Sequence, residues 1–376
     1  MSKMTKINAV AILTLLGLPA LTMNTQVDAV SASTNAMLPE LAADEWKDPE
    51  LLQNYLGKRV GFYDEGVNTN IVLNDMLFGR MEHPLYTYGQ DGWVYNDGYW
   101  QYSDPEFNAE FSVLLRNIQD YCEARGVVFL YVINPSKGSV YPQYLPRGYV
   151  YSNEFLPPFE QALQDEGVNY ISNVEYLAEI GETELVFNKQ YDSGHWNDLG
   201  AFYGTNNMIA TLQEDFPQLS LQELTDFSVE QVTETSLQVS EFAINDQVEY
   251  FAYKNTADIV GISQEFPHME LSDNYWFYNA WRFTGEGSED LPNALFFHGS
   301  YYIKNPEIYW GVFHEVYSVH NYDNLMNFEY YFDRFNPDIV LVESAEYVST
   351  TTFFNMELMR AANERLATIN AQYQGQ

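Results

Sequence analysis

Two short motifs carry side chains whose types and positions could do acyl-transfer chemistry. Ser300 follows an apolar run at 294–297 and precedes a predicted helix. Asp192 and His195 stand three positions apart, just before another predicted helix. A serine hydroxyl is a weak nucleophile until a base takes its proton, and a histidine oriented by a carboxylate is such a base. The spacing therefore predicts a nucleophile at Ser300, a base at His195 and an orienting acid at Asp192.

Each motif by itself also has an ordinary structural explanation. A Gly-Ser pair after a strand is often only a tight turn, and Asp-x-x-His is often a loop whose side chain caps a helix. The two motifs gain weight together, because both are predicted at the same edge of one sheet. We therefore favour a catalytic triad over two unrelated turns.

The elements around these motifs predict that edge. Asp104-Pro105 is a helix start, because Asp is a good N-cap and Pro is tolerated at the first helical position. The uninterrupted apolar run Val127–Ile133 is typical of a strand that is covered on both faces. Such strands alternate with predicted helices along the chain, which indicates a parallel sheet with helices on both faces. Sites in these sheets lie beyond the carboxyl ends of the strands, where Ser300 and the Asn134–Lys137 loop are expected.

The order of the elements indicates a permuted topology. Read from Asn293, the chain gives the serine strand, a helix, a strand, a helix and the strand at 338–342. Continued from residue 105, it gives two more strands and ends in Asp-x-x-His and a helix. This order resembles the SGNH hydrolases, whose serine strand comes first. The resemblance implies an α/β fold of the three-layer SGNH hydrolase-like type, with a parallel central sheet, circularly permuted. Residues 218–290 are polar and alternate with period two in places, so we interpret them as a β-rich insertion.

More specific motifs resemble the alginate O-acetyltransferase (AlgX/AlgJ-like) family, which has this permuted arrangement. The matching segments are Tyr88–Trp93, Asn134–Lys137, Asp192–Trp196 with Gly200-Ala201, Gly299–Tyr301, and Pro337-Asp338 through Glu343 and Glu346. The resemblance implies that an acetyl group is taken onto Ser300 and passed to a polysaccharide hydroxyl. It also implies a membrane-bound O-acyltransferase as the partner that delivers the acetyl group.

The sequence departs from these families in three places. The acetyltransferases often have Asp-x-His, whereas here two residues, Ser193 and Gly194, separate Asp192 from His195. The Gly-Asp-Ser motif of the hydrolases corresponds here to Gly299-Ser300, preceded by His298. The usual oxyanion Asn is absent. Glu343 and Glu346 occupy its region, which follows the predicted strand at 338–342. The backbone N–H groups of Ser300 and Tyr301 are therefore the candidate oxyanion donors.

Four residues are predicted to bind substrate, namely Lys137, Trp196, Tyr301 and Arg282. Lys137 has two open interpretations, since it could orient an anionic substrate or cap a helix. Trp196 could stack on a sugar ring or pack beside His195. The aromatic-rich loops at 86–101 and 274–283 could form a glycan platform or be ordinary packing.

The composition argues against a metal, a cofactor and nucleic acid. The remaining histidines, at 83, 268, 298, 314 and 320, show no ligand spacing, and the single cysteine, Cys122, excludes a four-thiolate site. We predict neither a metal nor a cofactor. The chain has 17 basic and 53 acidic residues, a net charge of −36, so a phosphate backbone would be repelled.

The first 32 residues have the composition of an export segment. Lys3 and Lys6 precede the apolar run Ile7–Met23, and small residues follow it. We expect residues 1–32 to be a signal peptide or an N-terminal membrane anchor, and residues 45–375 to form the SGNH-like domain. Either alternative places the domain outside the cytoplasmic membrane, secreted or tethered to its outer face.

Three functions remain open on this evidence. The leading hypothesis is an extracytoplasmic O-acetyltransferase that acts on an exopolysaccharide or wall polysaccharide. A carbohydrate acetyl esterase would use the same triad with water as the acceptor, and a non-catalytic glycan-binding or assembly module would need no triad. The strongly negative charge favours a neutral or weakly charged acceptor, because an anionic polymer would approach against an unfavourable field.

Overall fold

In the computed structural model the chain forms two compact units. The structure describes residues 17–31, 33, 37–42, 45–81, 83, 85–96, 103–149, 153–237, 243–267, 278–348, 351 and 353–374. The first unit comprises Met1–Tyr88 with Glu234–Asn245, and the second comprises Gly89–Thr233 with Asp246–Gln376. The predicted single domain over 45–375 stays a prediction.

The first unit is mainly helical. Its helices are α1 (Pro49–Arg59) and α2 (Tyr63–Phe78), and the short strand β1 (Tyr86–Tyr88) follows them. The Asp48 side chain caps α1 by accepting from the N–H groups of Glu50 and Leu51. Lys3, Lys6 and most of the predicted apolar leader lie outside the described residues. Within the described ranges, no helix is long and apolar enough to cross a membrane.

The second unit contains the remaining elements. Its strands are β2 (Val94–Asn96), β3 (Val128–Asn134), β4 (Tyr170–Ser172), β5 (Phe227–Ser236), β6 (Ala243–Tyr253), β7 (Ile259–Gly261), β8 (Tyr278–Phe283), β9 (Ala294–His298), β10 (Glu315–His320) and β11 (Ile339–Ala345), of which β5 and β6 each extend partly into the first unit. Its helices are α3 (Pro105–Glu123), α4 (Lys137–Val140), α5 (Leu156–Asp165), α6 (Asn173–Ile180), α7 (Asp198–Leu212), α8 (Ser300–Lys304), α9 (Tyr322–Leu325), α10 (Phe328–Phe335) and α11 (Met356–Gln374).

A seven-stranded sheet forms the centre of this unit, in the order β4-β3-β11-β9-β10-β8-β7. The strands from β4 to β10 in this order are parallel to their neighbours. Every residue of β9 and β11 is buried. Because neighbouring side chains on a strand point to opposite faces, both faces of the central strands are covered. The predicted α/β fold with a central, mostly parallel sheet is confirmed.

The predicted insertion at 218–290 is only partly separate from the sheet. Strands β5 and β6 pair with each other. Strands β8 and β7, in contrast, extend the main sheet, with β8 antiparallel to β10 and β7 antiparallel to β8. Period-two alternation identifies a strand but not its partner, so the sequence could not distinguish these two fates.

Candidate active site

The predicted nucleophile lies just beyond the carboxyl end of a central strand of the sheet. Strand β9, which runs between β11 and β10, ends at His298. Gly299 adopts extended backbone, and α8 begins directly at Ser300. The partly buried Ser300 side chain is therefore held between a buried strand and the first turn of a helix.

The predicted acid and base come from the loop before α7. Asn197 caps this helix by accepting from the N–H of Gly200. Asp192 has a φ of +47°, a left-handed conformation that Asp tolerates better than most residues. The helix start and this turn together direct Asp192 and His195 toward Ser300.

The three side chains form a continuous hydrogen-bond chain. His195 Nε2 lies 2.9 Å from Ser300 Oγ, and His195 Nδ1 lies 2.7 Å from Asp192 Oδ1. Both distances are in the hydrogen-bond range. This geometry fits a serine whose proton passes to an imidazole that is oriented by a carboxylate. The structure thus brings together the three residues that the sequence predicted as catalytic, and their catalytic role stays a proposal.

Asp192 also binds a cation that the sequence analysis missed. Lys304 Nζ lies 3.0 Å from Asp192 Oδ2, the carboxylate oxygen that His195 does not use. Burial opposes ionisation of Asp192, but His195 and Lys304 outweigh it and hold the pKa of this carboxyl well below its usual range. Asp192 is therefore a stable anion beside the imidazole.

Tyr301 connects the loops of the site. Its hydroxyl lies 2.5 Å from the carbonyl oxygen of Pro135 and 3.1 Å from that of Gly194. Its ring packs edge-on against the rings of His195 and Trp196. The residue after the nucleophile thus fixes both the loop after β3 and the loop of the acid and base.

A side chain of the predicted insertion holds the segment before Asp192 in place. The Asp246 carboxylate on β6 accepts from the N–H groups of Gln190, at 2.6 Å, and Tyr191, at 2.9 Å. These two bonds hold the backbone that enters the left-handed turn at Asp192. An isolated Asp in a polar strand carries no sequence signal for this role, so the sequence does not predict it.

Glu343 lies beneath the nucleophile turn. Its carboxylate, which is 1% exposed, accepts from the N–H of Tyr302 at 3.3 Å and from the hydroxyl of Tyr309 at 3.1 Å. Burial raises its pKa to about 7, although these hydrogen bonds favour the charged form. Glu343 occupies the region of the usual oxyanion Asn. Its carboxylate therefore supports the backbone of α8.

We expect Glu343→Gln to remove a pH dependence of stability. The folded pKa, about 7, exceeds the ordinary value of 4.5, so the folded state binds this proton more tightly. Stability from this group is therefore present below about pH 4.5 and is lost as the pH rises to 7. From pH 5 to pH 8 the wild type should lose roughly 3 kcal/mol relative to the variant. Urea unfolding at both pH values measures this difference.

The exposed Glu230→Gln serves as the matched control, because it removes the same charge from β5. Its pH dependence of unfolding should equal that of the wild type. If Glu343→Gln also follows the wild type between pH 5 and pH 8, the buried carboxyl does not titrate as described.

The predicted substrate-binding residues contact other residues of the protein. Lys137 is 2% exposed and donates to the carbonyls of Val94 and Lys189, at 2.7 and 3.1 Å. Burial lowers its pKa to about 7. Arg282 on β8 pairs with Glu315 and Glu265. Neither placement favours a direct contact with substrate.

Trp196 and Tyr301 are also buried. A side chain at Gly204 on α7 would approach the Trp196 ring within 2.5 Å, so this glycine makes room for the indole. This contact favours the packing interpretation of Trp196. A substrate-binding role for these residues and for Lys137 and Arg282 stays a prediction.

The other histidines form no metal centre among the residues that the structure describes, where no group of three His, Cys, Asp or Glu side chains is placed to hold an ion. His298 and His320 are buried, and burial lowers their pKa values to about 3 and about 4. They are therefore neutral at physiological pH. His268 lies outside the described residues, and Cys122 is a buried free thiol.

Comparison with known families identifies a segment around the acid and base. Residues 87–248 match the family described as "SGNH hydrolase-like domain, acetyltransferase AlgX". This range contains Asp192 and His195 and ends before Ser300. None of the curated proteins compared with the chain matches it.

Solved structures share the fold at low sequence identity. The O-acetyltransferase domain of Pseudomonas putida AlgJ is 13% identical, with a TM-score of 0.52 over 75% of this chain and 100% of that one. Bacillus cereus PatB1 is 14% identical, with a TM-score of 0.53 over 69% of this chain and 96% of that one. A second PatB1 structure, with a sulfonyl adduct, is 13% identical and gives 0.53 over 72% and 99%. These likenesses concern the fold.

The family match and the fold agree with the resemblance predicted from the sequence. Both the motif segments at 88–93, 134–137 and 192–201 and the matched range lie in the same part of the chain. The match of residues 87–248 to this family therefore confirms the resemblance predicted from the sequence.

Proposed function

We propose that this protein is an O-acetyltransferase that moves an acetyl group through Ser300 to a hydroxyl of a polysaccharide. The observation that carries the proposal is the chain of hydrogen bonds from Ser300 through His195 to Asp192, at 2.9 and 2.7 Å. The family match around the acid and base supports acetyl transfer as the reaction.

The first half-reaction loads the serine. Ser300 Oγ attacks the carbonyl carbon of an acetyl ester while its proton passes to His195 Nε2. The bond from that carbon to the donor oxygen then breaks, and the departing oxygen takes the proton from His195. Ser300 now carries the acetyl group, and His195 is neutral again.

The second half-reaction transfers the group. An acceptor hydroxyl gives its proton to His195 Nε2 and attacks the acetyl carbon. The bond to Ser300 Oγ breaks, and the serine recovers a proton from His195. With water as the acceptor the same steps give an esterase, so the acceptor decides between the two activities.

A neutral or weakly charged acceptor fits the charges of the protein best. The body is strongly acidic, with a net charge of −36. The two cations predicted to bind substrate, Lys137 and Arg282, are engaged with carbonyls and carboxylates of the protein itself. An anionic polymer would therefore have to overcome a repulsive field.

The proposal includes the location and the donor. The composition of residues 1–32 supports an extracytoplasmic domain, either secreted or tethered to the outer face of the cytoplasmic membrane. The donor would then be a membrane-bound O-acyltransferase that delivers the acetyl group outward, as the family resemblance implies.

Trapping the acetyl-enzyme tests the proposal. The purified protein is incubated with 4-nitrophenyl acetate, with and without neutral glycan oligomers, and intact mass and peptide mapping follow the adduct. We expect an added acetyl group on Ser300 and its transfer to the oligomers. Release only to water would identify an esterase instead. An absent adduct would contradict the catalytic proposal and leave a glycan-binding module.

A further inference from the structure

The acid of the proposed triad is shared between a base and a cation. Asp192 uses Oδ1 for His195 Nδ1, at 2.7 Å, and Oδ2 for Lys304 Nζ, at 3.0 Å. The Asp192 side chain is 11% exposed and that of Lys304 is 33% exposed. This pair is thus better shielded from water than an ordinary surface ion pair.

The cation comes from the same helix as the nucleophile. Helix α8 begins at Ser300 and ends at Lys304, four residues and about one turn later. One short helix therefore contacts both ends of the triad, with Ser300 on the Nε2 side of His195 and Lys304 on the far side of Asp192. A shift of α8 would move both contacts together.

We infer that Lys304 is a positioning residue that sets the lower pH limit of the reaction by offsetting part of the charge of Asp192. This inference rests on the proposed function. In a Ser-His-Asp triad the carboxylate stabilises the imidazolium, which is inactive as a base toward serine. A cation on the second carboxylate oxygen weakens that stabilisation. Removal of Lys304 should therefore lower the rate most at acidic pH, where the imidazolium competes with the free base.

Other charged groups near Asp192 act equally on the wild type and the variants. Lys137 on α4 feels the charges of Asp246 and Asp192. Asp246 on β6 is bound to the N–H groups that precede Asp192. The ring of Tyr301 packs edge-on against His195, and the hydroxyl of Ser300 lies 2.9 Å from its Nε2. These groups are common to the wild type and the Lys304 variants, so a difference between two pH profiles reports on Lys304.

The test compares pH–rate profiles of the full chain. Wild type, Lys304→Gln, Lys304→Met and Lys304→Arg are assayed for kcat/KM with 4-nitrophenyl acetate from pH 5 to pH 9. For Lys304→Gln and Lys304→Met we expect the acid limb to move to higher pH by about 0.5–1 unit. Activity at pH 5.5 should fall roughly 3- to 10-fold, since each pH unit on that limb is tenfold in the neutral form. At pH 8.5 it should change less than about threefold.

Two control variants test whether the charge at Lys304 causes the shift of the acid limb. Lys304→Arg keeps the charge and should keep the limb of the wild type. Lys254→Gln removes a lysine whose described contact is the Thr225 carbonyl, and it should leave the whole profile unchanged. Thermal unfolding of each variant shows that it is folded.

The outcomes separate this inference from the proposed function. An unmoved acid limb in both uncharged variants, or a loss of equal size at every pH, would overturn the role of Lys304. Retained turnover in Ser300→Ala under the same assay would instead overturn the proposed function, whatever the Lys304 variants do.

Discussion

Replacing Ser300 with alanine should abolish acetyl-enzyme formation and lower kcat/KM for 4-nitrophenyl acetate by about 10⁴-fold or more. Alanine lacks the oxygen that forms the acyl bond, and no water at that position can store the acetyl group. The described hydrogen bond of Ser300 Oγ is to His195, so the fold should lose little when the hydroxyl is removed. Initial rates and intact mass measure the two effects.

A second serine variant controls for the substitution itself. Ser228→Ala removes a hydroxyl on β5 that donates to the Ala252 carbonyl of the paired strand β6, and it should keep wild-type rates. If Ser300→Ala still forms the adduct, another side chain carries the acetyl group and the nucleophile has been assigned incorrectly.

Replacing Asp192 with asparagine should lower kcat/KM by roughly 10³- to 10⁴-fold. An amide that turns its NH₂ toward His195 Nδ1 favours the tautomer with the proton on Nε2, which cannot accept the proton of Ser300. The carboxylate that Lys304 contacts is lost as well. Steady-state kinetics at pH 8, together with thermal unfolding, separate the catalytic loss from a loss of folding.

The double variant makes this prediction sharper. If Asp192 acts only through His195, then Asp192→Asn combined with His195→Ala should be no slower than His195→Ala alone, within about threefold. Losses that multiply would mean that Asp192 acts independently of the imidazole. The proposed orientation by the carboxylate would then be wrong.

The parts of the structure that follow from local chemistry were predictable from the sequence. The continuous apolar run at 127–133 gave strand β3, and Asp104-Pro105 gave the start of α3 with the predicted side-chain cap. Ser300, His195 and Asp192 could be associated because carboxyl ends of parallel strands meet at one edge of a sheet. In the structure these side chains lie within hydrogen-bond distance of one another.

The parts that depend on long-range contacts were not predictable. Lys304 and Asp246 are ordinary charged residues in the sequence, and their roles arise only when α8 and β6 reach the loop before α7. The sequence predicts Lys137 at the edge of the site because it follows the end of strand β3. Its burial is not predictable in the same way, because the Trp93 and Tyr95 rings and two carbonyls that surround its ammonium group come from other parts of the chain.

The position of β9 and β11 in the sheet has a consequence for synthesis of the chain. These two strands lie between β3 and β10, yet they begin only at residues 294 and 339. A nascent polypeptide that ends before residue 294 has strands β3 and β4 but lacks the centre of its sheet, and the nucleophile is missing with it. Ordering of the hydrophobic centre must therefore wait for late sequence, because β11, β9 and β10, the strands between β3 and β8, are not yet made. Assembly of the fold and assembly of the reactive serine with its base are thus completed by the same late strands.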